Sequence, residues 1–415
     1  MHQNAAERLR NHIAGTLQQC AIAETWPVFE SYTQHVKSLA TEVVKQKKQW
    51  LTISNVYSIF VDHVYQAVLL HKPKDGHVSG LLPEILGKGE FDALVQQLLS
   101  YFEGIPRKYS IYMPVPSVPP LLETVQISDE VRLERVTSRK AFPGNTRPGG
   151  LLGLSGDKIE PPMYCLVFEV SGYCGRNFSS SAARRGLSSF KIAMQQAVAR
   201  GLFKQRKNTV AGLGLLSSWA SYSIPKHYLV AVDHKPSASP TENLELPIEI
   251  CRFLESHEFA ANNHQIEIAV VASNLPRLLT TYLNSAAKLH ATDNQDAIRV
   301  KTASEWAFDA YLNDNPTLSF LQTCIALEAL YGDDGDGDNV TKTLADRCAY
   351  LVGSDIKGRR TIRENFRSLY SVRSKIVHGC VGALGADEES YLDWGKSILE
   401  YSIFKEIKHL ALDKI

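Results

Sequence analysis

Residues 362–379 read IRENFRSLYSVRSKIVHG and carry the pattern that decides the fold of the C-terminal region. Their apolar residues recur every three or four positions, which predicts an amphipathic helix over 360–377. Arg373 occupies one position of this apolar stripe, between Leu369 and Ile376. A second line along the same helix is wholly polar and consists of Arg367, Ser371, Ser374 and His378. A helix built only for packing would need neither feature, so the segment is a candidate site.

The glycine at 379 predicts where this helix ends, because glycine readily adopts the left-handed conformation of a C-terminal cap. His378 then lies on the last turn, where the negative end of the helix dipole favours a protonated imidazole. His378 follows Arg373 by five residues, or about 140° around the axis. The two side chains can therefore line one groove only if a partner surface closes over the side between them. A capping histidine beside a structural arginine is the alternative interpretation.

Apolar periodicity predicts further helices in the rest of the C-terminal region, and their apolar stripes are typical of a bundle. In the predicted helix 318–331, Glu328 falls on the stripe formed with Leu318, Leu321 and Ile325. An unpaired buried carboxylate is costly, and Arg347 lies at the edge of the inner stripe of the next helix. We therefore expect an ion pair between Glu328 and Arg347. The remaining predicted helices are 303–312, 341–352 and 387–412.

The preceding residues divide into two regions of different character. Residues 1–120 show mostly helical periodicity, whereas 121–295 contain the β-like runs VRLERV, MYCLVFEV, HYLVAV and QIEIAVVA between short helices. A chain of 415 residues is also too long for one ordinary core. The predicted fold is α+β and multidomain: a helical N-terminal region (1–120), a mixed α/β sensor or regulatory domain (121–295) and an all-α helical bundle (296–415).

The composition gives no overall charge that would attract a nucleic acid or a membrane, because 45 basic residues balance 44 acidic ones. The seven cysteines contain no CxxC pair, which is typical of reduced thiols. We find neither a leader pattern nor an apolar run of roughly 18 to 20 residues, so we expect a cytoplasmic protein without a membrane partner. Glycine-rich phosphate-binding spacings and common zinc spacings are also missing, so we expect no metal and no cofactor.

One stretch is locally basic, RRGLSSFKIAMQQAVARGLFKQRK at residues 184–207, and it contains no acidic residue. Such a cluster can bind phosphates and is a candidate RNA-binding patch. A solvated helix face is the favoured alternative, because the chain is otherwise neutral. The basic residues are Arg184, Arg185, Lys191, Arg200, Lys204, Arg206 and Lys207.

Three blocks in the last 115 residues or so carry a resemblance to a known family. They are LQTCIALEALYG (321–332), LADRCAYLVG (344–353) and LYSVRSKIVHG (369–379). In this order they resemble HEPN domains of the ApeA-like group, whose signature R-x(4-6)-H near a helix end is here Arg373 to His378. The resemblance does not extend to residues 1–295.

The resemblance implies a helical bundle that forms a homodimer, in which two R-x(4)-H helices meet and build one composite ribonuclease site. Cleavage would be metal-independent, with His378 as general acid/base and Arg373 stabilising the phosphate. Glu328 and Arg347 would support the site or the bundle, and Ser374 stands where many members have Asn, Asp or His. The implied setting is phage defence by abortive infection, with a phage-derived trigger. The alternative function is a non-catalytic HEPN module that binds a nucleotide or a partner.

Overall fold

The computed structural model describes residues 3–71, 76–118, 124–138, 158–206, 226–235, 241–260, 268–332 and 340–410. Its fold is α+β, as predicted, and helices predominate. The chain divides into two compact units. Unit 1 comprises Met1–Ile111, Glu169–Arg185 and Ala231–Leu244, and unit 2 comprises Tyr112–Phe168, Gly186–Val230 and Glu245–Ile415. The units combine segments that are distant in sequence, whereas the sequence analysis predicts three consecutive domains.

The N-terminal part of unit 1 is helical, which confirms the prediction for this region. Its helices enclose a core with fully buried residues such as Ile13, Val36, Phe60 and Leu98. A small sheet of order β2-β1-β3 accompanies them. The elements are α1 (Gln3–Gln18), β1 (Ala21–Ala23), β2 (Trp26–Pro27), α2 (Phe29–Lys47), α3 (Ile53–Leu69), β3 (Gly80–Leu81) and α4 (Leu82–Glu103), which is kinked at Gly87.

A six-stranded sheet of order β10-β9-β4-β7-β6-β5 follows in the chain, and β6 pairs antiparallel with β5 and β7. Three of the four predicted β-like runs lie in its strands β6, β7 and β9. The strands are β4 (Arg107–Pro114), β5 (Val125–Gln126), β6 (Val131–Ser138), β7 (Lys158–Gly172), β9 (Tyr228–Asp233) and β10 (Thr241–Glu245). The same part of the chain also contains α5 (Ser181–Ala199), β8 (Phe203–Gln205), α6 (Ile248–Ser256) and β11 (His257–Phe259), and β8 pairs with β11.

The fourth predicted strand, QIEIAVVA, is wrong over its described part, because α7 (Ile268–Ala291) already begins there. A short run of β-branched residues does not distinguish a strand from a buried helix. The residues that follow settle the matter: Leu275, Leu279 and Leu283 are spaced by four and all are buried. Their shared face makes the helix the conformation that buries most apolar surface.

The C-terminal part of unit 2 contains five helices among its described residues: α8 (Gln295–Leu312), α9 (Pro316–Tyr331), α10 (Val340–Val352), α11 (Ile356–Val377) and α12 (Glu389–His409). Helix α9 packs against α8, α10, α11 and α12. The buried residues of α12 include Leu392, Leu399, Ile403 and Ile407, whose spacing is that of an apolar helix face. No helix in the described ranges is both long and apolar enough to cross a membrane.

The predicted inner stripe of α9 needs correction. Leu318 is 50% exposed, and the residues that are buried instead include Phe320, Cys324 and Leu327. The sequence of α9 places apolar residues on all sides of the helix. Periodicity therefore could not identify the side that neighbouring helices would cover. Glu328 consequently lies at the edge of the packed face, where it is partly exposed.

Candidate functional site

Helix α11 is fixed at both ends by local signals in the sequence. At its start, the Asp355 side chain accepts a hydrogen bond from the backbone N–H of Gly358 at 2.7 Å. At its end, Gly379 has a φ of +71°, as the predicted left-handed cap requires. The backbone N–H of Cys380 donates to the carbonyl of Lys375 at 2.8 Å, and that of Gly379 donates to Ile376 at 3.1 Å. These two hydrogen bonds form a Schellman motif, which fixes the backbone position of His378.

Arg373 points to an acidic partner on the neighbouring helix. Its Nη2 atom lies 3.3 Å from Oε1 of Glu328, and the two side chains are 31% and 32% exposed. Sequence spacing predicts an ion pair of Glu328 with Arg347. In the structure the ion pair described for Glu328 is with Arg373, while Arg347 donates from Nη1 to the backbone carbonyl of Tyr331. Arg373 therefore contacts the neighbouring helix α9, where it brings a cation next to Glu328, and its side chain is partly exposed.

Two buried groups lie beneath this ion pair. The hydroxyl of Tyr370 donates to the backbone carbonyl of Cys324 at 3.3 Å. Burial, together with the nearby Glu328 carboxylate, raises the pKa of Tyr370, and burial likewise raises the pKa of the Cys324 thiol. Both groups therefore stay protonated near neutral pH, and neither can act there as a base.

The predicted polar line of α11 is exposed along its length. Arg367, Ser371, Ser374 and His378 are all exposed, and Val377 beside them is 50% exposed. The surface thus presents an exposed imidazole at the C-terminal end of α11. Together with the partly exposed guanidinium of Arg373, it offers a group able to move protons and a fixed cation for a phosphate.

The basic stretch 184–207 is largely occupied by contacts within the protein. Within unit 1, Arg185 lies over the Trp50 ring at 5.4 Å. Within unit 2, Lys191 pairs with Asp309 at 2.8 Å, Arg200 donates to Ser285 at 3.0 Å, and Lys204 donates to the carbonyl of Ala260 at 2.7 Å. Arg184 is exposed, Arg206 is partly exposed, and Lys207 lies outside the described residues. These contacts give most of the described cations a packing role, and the RNA-binding patch stays a prediction.

A serine, a histidine and a carboxylate meet on unit 1, which sequence spacing did not indicate. The Ser110 hydroxyl donates to Glu169 at 2.8 Å, and Nε2 of His234 lies 2.9 Å from the same hydroxyl and 3.1 Å from Glu169. In a nucleophilic triad the carboxylate orients the histidine through its other ring nitrogen. Here one nitrogen serves both neighbours, so this cluster is not arranged to activate the serine.

Sequence reasoning also missed a pocket in unit 1, which we call the tyrosine pocket. Its lining includes Tyr32, Asn55, Tyr57, Asp62, Tyr173 and Arg176. These residues come from α2, α3 and the segment after β7, so no local spacing could have identified them.

Comparisons of the chain with family models, with curated proteins and with solved structures gave no match.

Proposed function

We propose that this protein is a metal-independent RNA endonuclease with a HEPN-type bundle formed by α8 to α12. Two copies would bring their α11 helices together, so that Arg373 and His378 of both build one composite site. The observation that carries the proposal is the arrangement of α11. Its partly exposed arginine pairs with Glu328 of α9, while the exposed polar line that ends at His378 leaves room for a second surface.

The chemistry requires little from the protein, because RNA brings its own nucleophile. The ribose 2′-hydroxyl attacks the adjacent phosphorus as His378 accepts its proton. The bond from phosphorus to the 5′-oxygen then breaks, and a protonated imidazole returns a proton to that oxygen. The products are a 2′,3′-cyclic phosphate and a 5′-hydroxyl. Arg373 stabilises the negative charge that builds up on the phosphate oxygens.

Glu328 acts in this scheme as a positioning residue, because it holds the guanidinium of Arg373 in one place. The same ion pair also favours the second candidate function, a non-catalytic module that binds a nucleotide or a partner. In that function Arg373 would only join α11 to α9, and α11 would still form the dimer contact.

The biological setting that we propose follows from the resemblance of the three sequence blocks. The nuclease would act on RNA in the cytoplasm during phage infection and would stop growth of the infected cell. A phage-derived trigger would release its activity, with residues 1–295 sensing the trigger or restraining the site.

RNA cleavage in EDTA tests the proposal. We expect the wild type to cleave at a basal rate without the trigger, and Arg373→Ala and His378→Ala each to lose at least about 100-fold of that rate, as is usual when a charge-stabilising donor or an acid/base group is removed. Matched controls are Arg360→Ala on α11 and His409→Ala on α12, whose side chains are 81% and 64% exposed. Both controls should keep wild-type rates and a folded circular dichroism spectrum.

Growth after induction and survival of phage challenge are measured with the same five proteins, because a trigger is supplied only in cells. Equal cleavage and equal toxicity in all five would overturn the nuclease and leave the binding module. End-group analysis should find 2′,3′-cyclic phosphates, whereas 5′-phosphate products would contradict the mechanism.

A further inference from the structure

The tyrosine pocket has a volume of about 310 Å³ and lies wholly within unit 1. This is at the lower end of the roughly 300 to 1,000 Å³ that small-molecule sites occupy. It suits a single nucleotide-sized ligand better than an oligonucleotide. The pocket has no part in the proposed cleavage, so its function is a separate question.

A buried amide in the lining points to a ligand. Asn55 is only 3% exposed, and its Oδ1 atom accepts from the backbone N–H and the hydroxyl of Thr52, each at 2.9 Å. The backbone N–H can only donate, which identifies the contacting atom as oxygen and leaves the Nδ2 donors on the other side. No acceptor for Nδ2 is found among the described residues. Asn55 lines the pocket, so a ligand that accepts from its Nδ2 donors would gain a hydrogen bond there.

The rim of the pocket carries further donors and one charge pair. Asn177 uses its Oδ1 atom to accept from the backbone N–H of Ser179 at 3.1 Å, which again leaves an amide NH₂ group. The Arg176 guanidinium lies 3.1 Å from Asp62 and is 74% exposed. Its exposed donors can therefore reach an anion at the pocket mouth while the contact to Asp62 is kept.

Aromatic rings form the apolar part of the wall. Tyr32, Tyr57 and Tyr173 all line the pocket. Burial raises the pKa of Tyr173, so its ring stays neutral. At Gly175 an added Cβ atom would come within 2.6 Å of the Tyr173 hydroxyl, so the glycine preserves this part of the lining. Planar rings favour stacking on such aromatic surfaces.

We propose that the tyrosine pocket is a binding site for a nucleoside monophosphate. The base packs against the tyrosine rings and accepts a hydrogen bond from Nδ2 of Asn55. The phosphate stays at the solvated rim, where Arg176 and the Asn177 amide donate to its oxygens. Nothing in this assignment depends on RNA cleavage by the C-terminal helices.

Titration of the purified full-length protein with AMP, GMP, CMP and UMP tests the site, with heat of binding and thermal unfolding as the two readouts. We expect at least one of them to bind and to raise the melting temperature. The matching nucleoside and inorganic phosphate should each bind at least tenfold more weakly, since each lacks one half of the interaction.

Two variants with matched controls locate the binding. Asn55→Asp keeps the acceptor for Thr52 but replaces the NH₂ donor by a carboxylate oxygen, and Arg176→Gln removes the cation. Each should weaken binding at least tenfold. The first control is Asn294→Asp, which makes the same asparagine-to-aspartate change at the N-cap of α8. The second control is Arg10→Gln, at an exposed position of α1. Both should bind as the wild type does.

Three outcomes would overturn the proposal. The first is no binding of any of the four nucleotides at 10 mM. The second is equal affinity for a nucleotide and its nucleoside, and the third is equal affinity in all five proteins. Because binding is measured without RNA, a failure here is distinct from a failure of the proposed nuclease.

Discussion

The ion pair between Glu328 and Arg373 is the residue-level contact that links α9 to α11 at the candidate site. Because each side chain is about a third exposed, solvent screens the pair. We expect a double-mutant cycle with Glu328→Gln and Arg373→Gln to give a coupling of about 0.5 to 1 kcal/mol in the free energy of unfolding. Urea denaturation of the four proteins measures it.

The exposed pair Arg360 and Glu364 on α11 provides the control cycle, which should give about 0.3 to 0.5 kcal/mol. A coupling of about 3 kcal/mol or more between Glu328 and Arg373 would have a different meaning. It would mark a desolvated structural pair and would favour the binding module over the nuclease.

His257 should make the protein less stable in acid. The residue is buried, with Nε2 2.7 Å from the Tyr311 hydroxyl, and burial lowers its pKa from the ordinary value of 6.5. The unfolded chain therefore binds a proton more readily than the folded one. The neutral histidine contributes its full stability above about pH 6.5, and this contribution is lost as the pH falls toward the lower pKa of the folded state.

The variant His257→Gln tests this, because glutamine keeps a polar group near Tyr311 but does not titrate. We expect its unfolding free energy to fall less than that of the wild type between pH 7 and pH 5. His12→Gln, at an exposed position of α1, should behave as the wild type does. An identical loss in all three proteins would show that His257 is not responsible.

At the scale of elements, the end of α11 depends on one glycine. Gly379 has a φ of +71°, and an added Cβ atom would meet nothing within 4 Å, so alanine there introduces backbone strain without a clash. Gly201 has the same φ and the same open surroundings. We expect Gly379→Ala and Gly201→Ala to lower stability equally, by about 1 kcal/mol. Thermal unfolding measures both.

RNA cleavage then separates the two glycine variants. Gly379→Ala distorts the cap that positions His378, so its cleavage rate should fall about tenfold or more, in line with a misplaced catalytic group. Gly201→Ala should keep the wild-type rate. Equal rates in both variants would mean that the cap of α11 does not position a catalytic histidine.

Sequence predicted the elements where the signals are local. The cap at Gly379 follows from a single local signal and is observed, and Arg373 contacts Glu328 on the neighbouring helix although its side chain is only partly buried. The stripe of α9 was wrong, because the choice of its buried side is made by the neighbouring helices. The run QIEIAVVA was wrong for a related reason, since its conformation follows from the apolar face that continues to Leu283.

At the scale of the whole molecule, contacts between distant segments escaped prediction. Lys191 and Asp309 are 118 residues apart, so nothing near Lys191 in sequence indicated that its charge is used for packing. The tyrosine pocket likewise draws Asn55 and Arg176 from separate segments. A sequence pattern shows which face of an element is apolar, but it does not show which other element will cover that face.

The proposed dimer predicts that the Cys380 thiols of its two copies lie close to one another. This cysteine follows His378 by two residues and is exposed, whereas the six other cysteines are buried. If two α11 helices meet near their C-terminal ends, a short bismaleimide should join the two Cys380 thiols into a covalent dimer. Cys380→Ser should remove the cross-link while the protein still sediments as a dimer. The cross-linked species is measured on a denaturing gel at protein concentrations too low for random encounters.

A cysteine elsewhere on the same helix supplies the matched control. Glu364 is exposed on α11 and lies roughly 20 Å from His378 at 1.5 Å per residue. In the Cys380→Ser background, Glu364→Cys should label with a monofunctional maleimide but fail to cross-link, because a two-fold axis near His378 keeps the two copies of residue 364 apart. Cross-linking through residue 364 but not through Cys380 would place the axis at the other end of α11. Arg373 and His378 of two copies could then not share one site, and the composite nuclease would be excluded even if the protein were a dimer.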